Sequence, residues 1–301
     1  MFKRILFLTL IPKSDWRVSE QLKTFLIIVE TKSFSRTAET LFITQSSVSK
    51  RIHALEKEVG QILFNRDRAV ISLTNAGNLL KRYAEQIMNM EEKIHEQIHQ
   101  ANQYASHLAI GTVYAYYDMY LSKRISSFAS LFPHIAITVR FGHTPQLLNE
   151  LLKASIDVAF THRPIDYSDY ICKNIGKDNI VLVTDSQNER CQSEIAYQDV
   201  KELPIIDTNF LYTPTRRKLF PALYQPQITV DVASYALPLL KESHFFALLP
   251  FNLVAEQLKS GELREVKIIG ENIPPVNYYM IFNKSLANES SIQEFINNLS
   301  L

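Results

Sequence analysis

The most overt chemical motif in the chain is His95-Glu96-Gln97-Ile98-His99, two histidines one helical turn apart with a glutamate beside the first. In a zinc hydrolase this H-E-x-x-H spacing puts both imidazoles on one helix face as metal ligands and leaves the glutamate as general base. The surrounding pattern argues otherwise. Tyr83, Ile87, Met90, Ile94, Ile98 and Ala101 step by 4, 3, 4, 4 and 3 residues, a near-heptad apolar seam. Ile94 and Ile98 occupy that seam, the histidines flank it, and no third ligand follows at the usual spacing. A helix packed along such a seam offers no substrate cleft. The motif therefore reads as the polar flank of a paired helix, with a zinc hydrolase and adventitious metal binding as the alternatives. No metal, cofactor or catalytic residue is expected.

Other chemistries fall to composition. The seven glycines, at 60, 77, 111, 142, 176, 261 and 270, are too scattered for a dinucleotide fingerprint, a P-loop or a G-x-S-x-G elbow. The two cysteines, Cys172 and Cys191, form no C-x-x-C pair, Cys₄ zinc site or disulfide framework. The histidines after residue 104 are scattered and give no nucleophile–base pair. With 301 residues, 46% hydrophobic and 21% charged, the chain is an ordinary globular one, long enough for more than one core.

The charge is near balance overall, at +1, but not by region. Residues 17–83 hold 11 basic against 6 acidic side chains, whereas residues 104–301 hold 17 against 20. A basic first third on a neutral-to-acidic body is expected when one domain meets a polyanion. Within it, Leu22, Phe25, Leu26 and Val29 form one helical stripe. Ser35 is a suitable N-cap for a second helix, and Thr44 caps a third that Gly60 ends. On the third helix, Val48, Ile52, Leu55 and Val59 share a band that must face the core. Gln45, Ser46, Ser49, Lys50, His53 and Lys57 lie on the other side, small and polar near the start and basic behind. That face has two readings, an ordinary solvated surface or a recognition helix with short groups at base edges and cations near phosphates. Residues 63–74 then read as two short strands around a turn carrying Arg66 and Arg68, a wing beside the duplex backbone or minor groove.

Five blocks in order, Phe34-Ser35-Arg36-Thr37-Ala38-Glu39, Thr44 to Ile52, Leu55 to Gly60, Leu63-Phe64-Asn65-Arg66 and Leu73-Thr74-Asn75-Ala76-Gly77, resemble the DNA-binding half of a LysR-type transcriptional regulator. The resemblance implies a sequence-specific regulator in which Gln45, Ser46, Ser49 and Lys50 meet bases or adjacent phosphates, with Arg66 in the wing. Ser35, Thr44, His53 and Arg68 complete the expected DNA-contact set. Ser46 stands where that family commonly has proline, and Lys50 where it more often has arginine. Lysine lacks arginine's two-pronged match to guanine, so base choice there is expected to be looser.

The elements that must position these groups follow. Residues 1–17 are expected as an N-terminal extension that packs on the first domain or frays, or that lies ahead of the true start; the apolar run Ile5–Ile11 is too short for a membrane span and lacks a signal-peptide cleavage site. Residues 18–74 are expected to form the N-terminal, all-helical winged helix-turn-helix. Residues 75–103 follow as a long linker helix of roughly 43 Å, pairing through Tyr83, Ile87, Met90, Ile94 and Ile98.

From 104 to 301, short apolar runs alternate with helical stretches. Strands are expected at 108–113, 135–141, 156–161, 179–184, 204–207, 245–250 and 278–282. Helices are expected at 119–131, 145–154, 232–241, 253–260 and 291–299. The fold class is α/β, with a largely parallel sheet. The blocks Leu108-Ala109-Ile110-Gly111, Phe128 to Pro133, Leu148 to Ala159 and Phe246 to Pro250 resemble the family's effector-binding domain. By that resemblance it has two lobes of periplasmic-binding-protein type, 104–163 plus 268–301 and 164–267, and a small molecule lies between them. The residues carried over as effector contacts are Tyr116, Thr144, His162 and Ser234, each also readable as a solvent-exposed loop residue. The aromatic tract Tyr114-Ala115-Tyr116-Tyr117 fits either a ring-bearing effector or a partly filled pocket.

The expected partners are a double-stranded DNA operator, an unidentified small-molecule effector, a second copy or three further copies of the chain, and RNA polymerase, with no membrane and a cytoplasmic location. A small-molecule-binding module or enzyme of the solute-binding fold, without a DNA role, is the alternative.

Overall fold

The computed structural model describes residues 16–65, 71–100, 104–189, 192–208, 211, 213–220, 224–241 and 243–299, and side chains within these except at 16–19, 92–100 and 213. Arg66 and Arg68, and the side chains of Ile94 and Ile98 and of the H-E-x-x-H motif, lie outside the described residues. The chain divides into two compact units, residues 1–102 with 152–155, and 103–151 with 156–301.

The first unit opens with α1 (Trp16–Thr31), α2 (Phe34–Thr40) and α3 (Gln45–Val59). Leu22, Phe25 and Ile28 of α1 pack with Val48, Ile52 and Leu55 of α3 in one buried cluster. Leu26 and Val29, expected on the same stripe, flank it half-buried. Val59 departs from the expected band and is 42% exposed, because Gly60 ends the helix beside it in a left-handed turn of φ 72°. Ser33, rather than Ser35, caps α2. It lies in extended backbone just ahead of the helix and its hydroxyl accepts the Arg36 amide at 3.3 Å, whereas Ser35 is already inside the first turn.

After α3, β1 (Phe64–Asn65) pairs antiparallel with β2 (Ser72–Leu73) as the stem of a wing. Helix α4 (Asn75–Gln100) is about 39 Å long at 1.5 Å per residue. Its first turns lay Ala76, Leu80 and Ala84 on the helix-turn-helix core. Leu79, Tyr83, Ile87 and Met90 of the same helix are exposed.

The second unit holds two sheets. The first, in order β4-β3-β5-β13-β6, contains β3 (Ser106–Thr112), β4 (Ile135–Phe141), β5 (Val158–Thr161), β6 (Tyr170–Asp178) and β13 (Val276–Asn283). The second, in order β10-β9-β11-β7-β12-β8, contains β7 (Ile180–Asp185), β8 (Glu194–Ala196), β9 (Ile205–Asp207), β10 (Ile228–Thr229), β11 (Phe246–Pro250) and β12 (Leu263–Ile269). Both sheets are mixed, not largely parallel. β3 runs parallel to β4 and β5, but β13 is antiparallel to β5 and β6, and β7 is antiparallel to β11 and β12.

The expected lobe boundaries shift accordingly. Residues 170–178, expected in the second lobe, pair with β13 in the first sheet, and β12 keeps 268–269 in the second. The chain crosses between lobes at Asn179 and again through residues 270–275.

Helix α5 follows β3 in three stretches, Tyr114–Tyr116, a π-helical turn Tyr117–Leu121, and Ser122–Leu131. The remaining helices are α6 (Thr144–Leu152), α7 (Thr213–Leu219), α8 (Ala236–Leu240), α9 (Phe251–Ser260) and α10 (Ser290–Asn298). Each lobe has its own core, around Ile110, Val158 and Phe160 in the first and around Val183, Ala247 and Leu249 in the second.

Gly77 sits where α4 leaves the wing, and a Cβ there would collide with the Leu63 carbonyl and lie 2.9 Å from Leu73 Cδ2. Because the clash is with backbone, it cannot be relieved by a rotamer change. Gly77→Ala should therefore cost about 1–3 kcal/mol, read as a lower urea midpoint with unchanged slope.

Candidate nucleic-acid interface and effector cleft

Burying Val48, Ile52 and Leu55 of α3 leaves one orientation for the helix. Gln45, Ser46, Ser49, Lys50, His53 and Lys57 are all exposed on its outer side. The start of that face is braced by local bonds. Thr44 Oγ1 accepts the Ser47 amide at 3.2 Å and lies 2.9 Å from Ser46 Oγ and 2.8 Å from Ser47 Oγ. Ser35 Oγ donates to Gln45 Oε1 at 3.1 Å, so the first turn of α2 and the first turn of α3 form one polar surface. Arg51 points elsewhere, to Glu20 at 2.9 Å and to Thr24 Oγ1 at 3.3 Å, and so belongs to the scaffold.

The far end of α3 is tied to the wing by a buried carboxylate, Glu56, whose Oε1 accepts the Leu63 amide at 3.0 Å. Thr74 closes the wing stem by donating its hydroxyl to the Ile62 carbonyl at 2.7 Å. Sequence reasoning did not single out Glu56. Its signal, an acidic residue at the edge of an apolar helix stripe, is indistinguishable from a surface charge without the tertiary partner.

In the second unit, a cavity of about 830 Å³ opens between the lobes. On the first lobe it is lined by His143 and Thr144, where β4 gives way to α6, and by His162 and Arg163, where β5 ends. Carboxyl ends of parallel strands are where open α/β sheets place ligands. The second lobe contributes Tyr197, Leu211 and Lys218 among others, the second crossing contributes Glu271, and the start of β13 contributes Asn277.

Of the four expected contacts, the structure brings two together. Thr144 Oγ1 accepts the His162 amide at 3.1 Å, and both residues line the cavity. Burial drives the His162 imidazole pKa down to about 4, with the nearby His143 and Arg163 adding to the effect and a hydrogen bond involving the Asn277 backbone opposing it. At neutral pH the ring is uncharged.

The other two contacts are corrected. Tyr116 is 3% exposed and packs into the first lobe's core, stacked on Phe160 at 5.2 Å and next to Tyr278 at 5.0 Å. Burial raises its hydroxyl pKa to about 12, so it stays protonated. Ser234 lies in a 3-10 turn, Ala233–Tyr235, that packs near Tyr114–Tyr116 and does not line the cavity. The first departure has a packing cause, since the Tyr116 ring fills space beside Phe160 and Tyr278 in the core of the first lobe.

The lobes are also joined beside the first crossing. Asn252 at the start of α9 donates its amide to Asp178 Oδ2 at 3.1 Å and its side-chain Nδ2 to the Tyr120 hydroxyl at 2.6 Å. Phe251 donates to the Asn179 carbonyl at 2.8 Å. The π-helical turn of α5 is what supplies Tyr120 to this junction. Tyr278 packs behind it, fully buried, with a hydroxyl that finds no hydrogen-bond partner among the described residues.

Residues 19–78 match the model of the bacterial regulatory helix-turn-helix protein, lysR family, and residues 101–300 match that of the LysR substrate binding domain. The chain belongs to the LysR family of transcriptional regulators. Members of this family are regulators rather than enzymes, which removes the zinc-hydrolase and enzyme readings. This LysR-type regulator is 26% identical over 270 residues to the HTH-type transcriptional regulator HdfR of Yersinia pestis, covering 86% of this chain and 87% of that one. It is 27% identical over 166 residues to YofA of Bacillus subtilis, a match spanning 55% of this chain and 58% of YofA.

Its fold is similar to full-length LysG of Corynebacterium glutamicum with bound effector Arg, at TM-score 0.61 and 18% identity over 93% of this chain and 96% of that one. It is also similar to full-length CbnR complexed with its target DNA, at TM-score 0.59 and 19% identity over 93% and 98% of the two chains. Among the described residues, no helix is long and apolar enough to cross a membrane and no group of three His, Cys, Asp or Glu side chains could hold a metal ion.

Two stability measurements test the cleft. The folded His162 pKa lies below its ordinary 6.5, so the unfolded chain takes up a proton that the folded chain refuses. That contribution is intact above about pH 6.5 and is lost as pH falls toward 4. His162→Gln should flatten the fall in urea midpoint between neutral pH and about pH 5 relative to the parent. Tyr278→Phe removes a buried hydroxyl that has no hydrogen-bond partner among the described residues and should leave the melting temperature unchanged or raise it, since truncating an unsatisfied group is nearly free.

Proposed function

We propose that this regulator binds a double-stranded operator through the outer face of α3, with Gln45, Ser46, Ser49 and Lys50 meeting base edges or adjacent phosphates. Ser35, Thr44 and His53 flank that contact, and Arg66 and Arg68 reach the backbone or minor groove from the wing. The single observation that carries the reading is the two-sided character of α3, apolar and buried on one side, short-polar and basic on the exposed other. CbnR was solved on its target DNA with the same fold, which supports the assignment.

The exposed stripe Tyr83, Ile87 and Met90, continued in sequence by Ile94 and Ile98, serves as the pairing surface of a homodimer, presenting two α3 faces to two half-sites. Dimers can pair further into tetramers. A small molecule in the interlobe cavity, held in part by Thr144 and His162, biases the arrangement of the assembly and thereby transcription. It acts only through different affinities for the alternative arrangements. RNA polymerase is the expected protein partner and the cytoplasm the expected location.

A gel shift with the gene's own upstream DNA tests the core of this. The parent protein should bind at low ionic strength and lose affinity steeply and linearly in log salt as phosphate contacts are screened. Lys50→Ala should weaken binding about tenfold and broaden the footprint's sequence tolerance, with its melting temperature unchanged. Identical footprints for parent and variant would remove Lys50 from the interface. Failure of the parent to bind any promoter fragment would sink the reading.

A further inference from the structure

The charges around the interlobe cavity run against those of the unit that contains it. Residues 104–301 carry 17 basic and 20 acidic side chains, an excess of acid. Among the described residues that line the cavity, the balance is reversed, with Arg163 and Lys218 against Glu271. His162 adds no charge at neutral pH, because its desolvated ring is held uncharged.

The two cations come from opposite lobes. Arg163 follows directly on β5 and His162, so it stands at the carboxyl edge of the first sheet. Lys218 lies on α7 of the second lobe. Two like charges on facing walls of a cleft repel, and an anion placed between them turns that repulsion into two attractions. Thr144 adds a donor on the same floor. Its oxygen is occupied in accepting the His162 amide, which leaves the hydroxyl hydrogen to be given to a ligand.

Burial, and after it the nearby Glu271 charge, raises the Tyr197 phenol pKa, so Glu271 stands beside Tyr197. Tyr197, Thr215, Asn272 and Asn277 supply further polar groups, and the rest of the lining is largely apolar, with Ile180, Leu211 and Val276. Pro145, Pro164, Pro214, Pro274 and Pro275 all line the cavity, and none carries a backbone N–H. Such walls favour an apolar body.

We infer that the cavity takes a ligand with one oxyanion head, carboxylate or phosphate, and a compact apolar body, and that the head bridges Arg163 and Lys218. This rests on the reading of the cavity as the regulator's effector site. It adds the ligand's chemical class and a physical cause for closure, since the anion rewards the approach of the lobes.

The test uses the full-length protein at constant ionic strength, titrated calorimetrically and by thermal shift with four probes: inorganic phosphate, acetate, butyrate and phenylacetate. The uncharged amides butyramide and phenylacetamide serve as controls. At least one of the four anions should bind and raise the melting temperature, and where butyrate or phenylacetate binds, its amide should bind at least about tenfold more weakly. Arg163→Gln and Lys218→Gln should each weaken that anion by about tenfold, and Glu271→Gln should tighten it. Circular dichroism on the same samples monitors folding.

Phosphate binding without carboxylate binding assigns the head as phosphate, and the reverse assigns carboxylate. Equal binding of acid and amide, indifference of the anion to both Arg163→Gln and Lys218→Gln, or no response to any anion overturns the inference. A gel shift on the same preparations separates this from the broader reading. Intact operator binding with no anion response refutes the ligand class alone, whereas loss of operator binding by the parent refutes the regulator assignment itself.

Discussion

The first unit depends on one constraint, the burial of Val48, Ile52 and Leu55 against the stripe of α1. A helix whose three apolar knobs are fully inside cannot roll about its axis by even one residue without exposing one of them and burying a polar neighbour. That penalty, of order 1–3 kcal/mol per misplaced side chain, fixes which face α3 presents. Position along the axis is set at the other end, where the Glu56 carboxylate holds the Leu63 amide. A buried carboxylate tolerates few geometries because each lone pair must find a donor. The wing stem is therefore placed relative to α3 by a hydrogen bond and the helix by packing.

In the second unit the aromatic tract after β3 has been turned inward. Tyr116 stacks on Phe160 and touches Tyr278, while Tyr120 reaches Asn252 across the lobes. The side of the cleft nearest β3 is thus filled by protein. The open volume lies toward the ends of β4 and β5 and against the second crossing, where Thr144 and His162 hold each other. Of the two readings open to that tract, a partly filled pocket is the one the packing favours.

Local rules were legible where a feature depends on its own neighbours. The strand Ile135–Phe141 matches its expected bounds, and the caps Thr44 and Gly60 stand where short-range chemistry puts them. Rules that need a partner failed. Tyr170–Asp178 was missed because its lysines, asparagine and Gly176 dilute the alternation, and only antiparallel pairing with β13, irregular at Tyr278/Tyr279, makes it a strand. Leu263–Ile269 interleaves charges with apolar residues and reads as a loop until β7 and β8 are beside it. Those two omissions moved both lobe boundaries. Ser33 and Ser35 are equally good caps by type, and only the backbone, extended at the first, tells them apart.

The two passages between the lobes differ in kind. The first is a single residue, Asn179, whose carbonyl accepts the Phe251 amide while the carboxylate of its neighbour Asp178 accepts the Asn252 amide. The second spans residues 270–275 and ends in Pro274-Pro275, a dipeptide with restricted φ. A short pinned passage beside a longer stiff one behaves as a pivot and a strut. One residue of chain held by hydrogen bonds leaves little slack at the pivot, and two consecutive prolines with fixed φ limit the ways the strut can bend. The spacing of the two cleft walls is therefore set by very few backbone dihedrals.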